Sequence, residues 1–248
     1  MDVSISVLVI SALVFLLAGL VKGVIGLGLP TVSMGLLALA MTPARAAALL
    51  VVPSLVTNVW QMIVGPSLWP LVLRLWPMMI GIGLGTWLGA GAFSISEAGA
   101  ATTGLGMALI LYALTGLTAI RFHVPAHAER WLSPLIGATT GAITAWTGVF
   151  VIPAVPYLQA IGLQKEDLVQ ALGLSFTVST LALAGILAWS GAFAISVAAE
   201  SLLAIVPALI GMGLGQAIRR RATPEVFRRW FYIGLLLLGT HLALRGLL

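Results

Sequence analysis

The sequence predicts an all-α, polytopic membrane protein: two inverted repeats of about five hydrophobic segments each, with broken or re-entrant helices at the centre. Three observations carry this expectation. First, 60% of the 248 residues are hydrophobic and only 8% are charged, with a mean hydropathy of +1.14, so too few polar side chains remain to cover a water-facing surface. Second, the apolar residues fall into ten stretches, several near the ~20 residues that cross ~30 Å of hydrocarbon as a helix. Third, the second half of the chain repeats the first.

In order, the stretches run at roughly 5–22, 25–41, 44–64, 69–93 and 98–119, then 131–147, 149–162, 168–189, 193–218 and 227–247. Strands of a membrane barrel would be alternating segments of ~10 residues, which these are not. Met1-Asp2-Val-Ser lacks a basic n-region, so residues 5–21 are expected to be a retained segment rather than a cleaved signal. The repeat is clearest where Pro77-Met-Met-Ile-Gly-Ile-Gly-Leu-Gly85 matches Pro207-Ala-Leu-Ile-Gly-Met-Gly-Leu-Gly215. At a similar offset Gly19 and Gly26 fall on Gly141 and Gly148, Asn58 falls near Thr180, and Pro30 lies one place from the register of Pro153. A first repeat at 1–120, a cytoplasmic linker at 121–130 and a second repeat at 131–248 follow, together one transmembrane domain.

Charge orients the halves. With the linker inside and an odd number of crossings per half, ten of the twelve Lys/Arg lie inside and only Arg45 and Arg245 outside. Four crossings per half would leave a weaker seven against four, with Lys22 in the bilayer. The inverted arrangement, with both termini outside the cytoplasm, is therefore preferred. Trp69, Trp76, Trp131, Trp189 and Trp230 fall near segment ends, where amphipathic rings favour the interface. Trp146 does not, and is either packing or a pocket wall.

The high isoelectric point, near 10.5, reflects these topological charges rather than nucleic-acid binding. There is no Cys, which excludes disulfides and thiolate metal sites. No cofactor and no metal is expected: His123 and His127 are separated by Pro125, and His241 lies near a segment end. Neither Gly-x-Ser-x-Gly nor His-Glu-x-x-His occurs, which disfavours an intramembrane enzyme. Asp167, with Lys165 and Glu166, reads as a solvated helix start. Glu200 reads as interfacial or proton-coupling, and Arg219-Arg-Arg with Arg228-Arg229 as an anchor on anionic lipid.

The candidate binding residues surround two breaks. Gly23, Gly26, Gly28 and Pro30, followed by Thr31, interrupt the first; Thr144, Trp146, Thr147, Gly148 and Pro153 mark the second. Small polar residues ahead of a proline suit a helix N-terminus, whose free N–H groups and partial positive charge attract anions. Single glycines serve helix packing equally well. Two roles fit Lys22: partner to a bound anion, or a lysine snorkelling at the end of the first segment. Thr57, Asn58 and Thr180 in the third segments add donors suited to an oxoanion that must bind and then leave, or to interhelical hydrogen bonds.

Lys22-Gly-Val-Ile-Gly-Leu-Gly-Leu-Pro30, Val52-Pro-Ser-Leu-Val-Thr-Asn-Val-Trp60 and the duplicated half resemble the sulfite exporter TauE/SafE family, also called the toluene sulfonate uptake permease family. The resemblance covers essentially the whole chain. It implies a secondary transporter of the bacterial inner membrane, multi-pass, moving sulfite, sulfonates or other small sulfur-containing anions. It also implies that Gly26, Gly28, Pro30, Asn58 and the Gly148–Pro153 turn lie near the pathway. The chain has Gly-Leu-Gly-Leu-Pro where many relatives carry a run of glycines. An exporter working by alternating access at a midplane site is the expectation, with an anion channel or an importer of another organic anion as alternatives. The expected partners are the anion and membrane lipid, not nucleic acid; a homo-oligomer is compatible with the sequence.

Overall fold

In the computed structural model, residues 5–95, 98–118, 123–219 and 224–247 are described, and they form helices without a strand. The helices are α1 (Ile5–Ile25), α2 (Leu29–Leu37), α3 (Pro43–Ile63), α4 (Leu68–Ile95), α5 (Ala98–Thr118), α6 (Ala126–Thr147), α7 (Ala154–Ala160), α8 (Lys165–Trp189), α9 (Ile195–Leu203), α10 (Ile205–Arg219) and α11 (Pro224–Leu247). Seven spans among the described residues are long and apolar enough to cross a membrane: α1, α3, α4, α5, α8, the α9–α10 pair and α11. The chain is a multi-pass membrane protein.

The breaks occur where backbone chemistry demands them. Gly26 ends α1 at φ 80° and Gly148 ends α6 at φ 68°, left-handed cap conformations that glycine adopts without a Cβ penalty. Their N–H groups bond to Lys22 O and Thr144 O, both at 2.8 Å. Beyond them α2 has nine residues and α7 seven, lengths of roughly 14 and 10 Å that cannot cross. The ninth expected segment is itself broken. Pro207 has no N–H for Leu203 O, and the helix divides into α9 and α10 at Ala204. Residues 126–130, expected as linker, form the first turn of α6; residues 121 and 122 lie outside the described set.

Helix contacts repeat between the halves. α1 packs on α10 as α6 packs on α4, α1 holds α2 as α6 holds α7, and the pairs α3–α8 and α5–α11 map onto themselves. The glycines of the sequence repeat make the close contacts. A Cβ on Gly19 would collide with Ala208 O and one on Gly23 with Met212 O; equivalently, Gly137 meets Met78 O and Gly141 meets Ile82 O. Small residues at such crossings let backbones approach. The packing equates Gly23, not Gly19, with Gly141, while Gly26 and Gly148 remain equivalent as caps. The reason is geometric: α6 runs seven residues from Gly141 to its cap and α1 only three from Gly23, a difference of one turn. Measured from the cap the counterpart of Lys22 is Thr144; measured from the packed glycines it is Thr140.

The exposed side chains are apolar around the helix bundle, with Leu13, Leu88 and Leu214 all more than half exposed, as a lipid-solvated surface requires. Trp69, Trp76, Trp131, Trp189 and Trp230 are exposed too. At one end of the bundle Arg74 donates to both oxygens of Glu129, at 2.9 and 2.6 Å, and to Ile161 O at 2.8 Å, joining α4, α6 and the α7–α8 turn.

Candidate functional site: a cation-lined cavity ending at Lys22

The site begins with a proline inside a helix. Pro53 has no N–H, so Leu49 O in α3 lacks its usual partner. Ser201 of α9 donates to that carbonyl at 2.7 Å and accepts from Val52 N at 3.2 Å. One residue earlier, Glu200 pairs with Arg45 at 3.3 Å. The irregular turn of α3 is thus held from outside the helix. Thr57 donates to Pro53 O at 2.8 Å, and its oxygen, with that of Asn58, is turned toward α1.

Lys22, on the last turn of α1, reaches into this place and is only 4% exposed. Its Nζ donates to Thr57 Oγ1 at 3.2 Å and to Asn58 Oδ1. Asn58 Nδ2 donates to Thr180 Oγ1 at 3.3 Å, and Thr180 donates to Phe176 O at 2.7 Å. The directions are forced. Phe176 O can only accept, so Thr180 spends its proton there and accepts from the Asn58 amide; Asn58 Oδ1 then faces Lys22. Neither of the two ion pairs among the described residues involves Lys22. A buried cation without a carboxylate is costly, and its remaining N–H is directed to whatever fills the adjoining space.

That space is a cavity of about 330 Å³. Lys22, Lys165 and Arg219 line it against a single carboxylate, Glu166. Thr57, Gln61, Gln170 and Gln216 supply amides and a hydroxyl, and Trp60, Val64 and Met212 an apolar wall. Two glutamines shape its rim. Gln61 donates to Gly26 O at 3.2 Å and Val169 O at 2.9 Å. Gln170 donates to Met62 O at 2.7 Å and Gly65 O at 2.9 Å, and accepts from Ser67 N at 2.8 Å. One side chain of α8 therefore closes the α3–α4 turn, supplying what a helix C-terminus and the next N-terminus each lack.

Of the residues expected from the sequence, Lys22, Gly26 and Thr57 line the cavity, and Asn58 and Thr180 stand directly behind Lys22. The first turn of α2 does not line it: Gly28, Pro30 and Thr31 are buried, and Thr31 returns its proton to Gly28 O at 2.9 Å. In the second break Thr144 donates to Thr140 O at 2.7 Å, while Thr147 donates to Ile143 O at 2.8 Å and accepts from Val149 N at 3.1 Å. Gly148 is buried and Pro153 half-buried. The breaks meet through α2, since a Cβ on Gly148 would lie 2.8 Å from Met34 Cε. Trp146 is 56% exposed and walls no part of this cavity. The helix start that faces the cavity is that of α8, not α2 or α7. In the sequence Lys165 reads as part of a solvated helix start and Arg219 as part of a lipid anchor, and Gln61 and Gln170 are only polar residues in apolar segments. Among the described residues no group of three or more His, Asp or Glu is placed to hold a metal.

A profile described as sulfite exporter TauE/SafE matches residues 11–242, from within α1 to near the end of α11. No curated protein and no solved structure matches the chain significantly. The family comprises membrane transporters, not enzymes, for sulfur-containing anions such as sulfite, and with nearly its whole length matched the chain belongs to the sulfite exporter TauE/SafE family.

Proposed function

We propose that the protein is a secondary transporter that exports small sulfur-containing anions, sulfite or organosulfonates, across the bacterial inner membrane by alternating access. The cavity is its inward-facing entrance. The observation that supports this reading is Lys22: a buried cation with no carboxylate partner, at the end of a cavity lined by three cations and one acid. An anion entering past Lys165 and Arg219 is drawn by their field and reaches the remaining N–H of Lys22. Positive-inside charge puts this mouth on the cytoplasmic side, and the repeated helix contacts suit two inverted halves rocking about the α3–α8 seam. Gly28, Pro30, Thr31, Thr144, Thr147, Gly148 and Pro153 join the pathway as the halves move; Trp146 faces outward and stays apart from it.

The test is uptake of labelled sulfite, sulfoacetate and taurine into proteoliposomes, with counterflow against unlabelled anion. Saturable flux with counterflow is expected, and Lys22→Met is expected to lower anion affinity by about tenfold or more, about 1.4 kcal/mol or above. Flux that never saturates would make it a channel, and no flux with any of the three would sink the proposal.

A further inference from the structure

The halves share their packing but not their polarity. Asn58 and Thr180 meet across the α3–α8 seam, which makes Thr57 the counterpart of Ser179. Lys22 precedes Gly23, packed on Met212 O, as Thr140 precedes Gly141, packed on Ile82 O. The trio Lys22, Thr57 and Asn58 is thus repeated as Thr140, Ser179 and Thr180. In the first trio every polar side chain is bonded. In the second, Thr140 Oγ1 and Ser179 Oγ are fully buried and have no partner among the described residues, and the same holds for Ser175, one turn before Ser179 on α8.

Helical hydroxyls have an easy alternative. Thr57, Thr86, Thr144, Thr177 and Thr180 each donate to the carbonyl four residues back. Ser175, Ser179 and Thr140 do not, although unpaired buried hydroxyls are costly. The space around them is asymmetric as well. The counterpart of the Lys22 cavity is an apolar groove of about 360 Å³ between α4 and α8, lined by Gly83, Trp87, Ala182, Gly185, Ile186 and Trp189. It stops short of the three hydroxyls.

Resting on the anion-transport reading above, we infer that Thr140, Ser175 and Ser179 form a second, uncharged site for the same small oxyanion, reached from the opposite side of the membrane through the α4–α8 groove. Three O–H groups can donate to sulfite or sulfonate oxygens, which gives the hydroxyls the partners they lack. A cation fits less well. On the helices packed there, the nearest carboxylates along the chain are Glu129 on α6, eleven residues from Thr140, and Asp167 on α8, eight from Ser175 and twelve from Ser179, roughly 16, 12 and 18 Å away along the helices. An anion that exchanges Lys22 for neutral donors is held less tightly, which suits release.

The chain has no Cys, so a single introduced cysteine reports access cleanly. In oriented vesicles holding the full chain, Ser179→Cys is expected to react with an anionic methanethiosulfonate only from the side opposite Lys165 and Arg219, and Val64→Cys only from theirs. The double variant Ser175→Ala, Ser179→Ala is expected to bind labelled sulfite within about twofold of wild type, because Lys22 is intact, yet to move it about tenfold more slowly. Ser179→Thr should restore most of the flux to Ser179→Ala. Normal wild-type flux with Ser179→Cys unreactive from that side, or full flux in the double variant, overturns this site alone. Sodium-dependent flux whose half-saturation for sodium rises in the double variant assigns the hydroxyls to a cation and overturns it too. Absence of any sulfur-anion flux in wild type fails the transport reading and this site with it.

Discussion

Asn58 Nδ2 lies 3.3 Å from Thr180 Oγ1, bridging α3 and α8 across 122 residues of sequence. The contact fixes which way the Asn58 amide points, and through it the oxygen that Lys22 meets. One hydrogen bond between the halves therefore bears on the only fully enclosed cation of the cavity.

Changing that amide to an acid should disable the site without unfolding it. Asn58→Asp places a carboxylate against Lys22, forming a buried ion pair that cancels its charge. Anion affinity should fall by about tenfold or more, while the melting temperature stays near that of wild type. Titration of the purified protein with sulfite, read by intrinsic fluorescence from Trp60 in the cavity wall, checks it; unchanged affinity would separate Lys22 from binding.

The repair of α3 by Ser201 predicts a specific non-additivity. Ser201→Ala leaves Leu49 O and Val52 N without the partner they now share and should cost about 1–2 kcal/mol. Pro53→Ala restores an N–H for Leu49 O. In that background the cost of Ser201→Ala should shrink to about 0.5 kcal/mol or less. Thermal unfolding of all four proteins completes the cycle, and equal costs in both backgrounds would refute the repair.

Neighbouring glycines should respond with opposite signs. A Cβ on Gly85 strikes Ala138 O, whereas one on Gly83 has nothing within 4 Å. Gly85→Ala should force α4 from α6 and destabilise by more than about 2 kcal/mol. Gly83→Ala should stabilise by about 0.5–1 kcal/mol through helix propensity. Melting temperatures of the two variants decide this directly.

Gln170 offers a test by charge. Its amide hydrogens face Met62 O and Gly65 O, and its oxygen faces Ser67 N. Gln170→Glu keeps the acceptor but sets a carboxylate against two carbonyls, so it should destabilise more than Gln170→Ala, by about 1 kcal/mol. Faster hydrogen exchange of the α3–α4 turn in the Glu variant is the local signature.

The sequence by itself determined the class, the segments and the breaks. Charge scarcity forces solvation by lipid, and apolar runs near 20 residues set the spans. Gly26 and Gly148 mark breaks, and Pro53 a missing donor within α3, through local backbone chemistry. The sequence could also single out Lys22, Asn58 and Thr180, because polar groups in hydrocarbon need a reason. Only the tertiary structure decided what they do to one another. Hydrogen-bond direction along Lys22, Asn58 and Thr180 depends on three helices meeting. The clasp of Gln61 and Gln170, the Ser201 repair and the one-turn shift that pairs Gly23 with Gly141 arise where helices cross, at separations local propensity does not encode. That is also why the open space came to lie at the end of α1 and the start of α8 rather than at the proline-marked starts of α2 and α7: a cavity belongs to the gap between packed elements, not to any one of them.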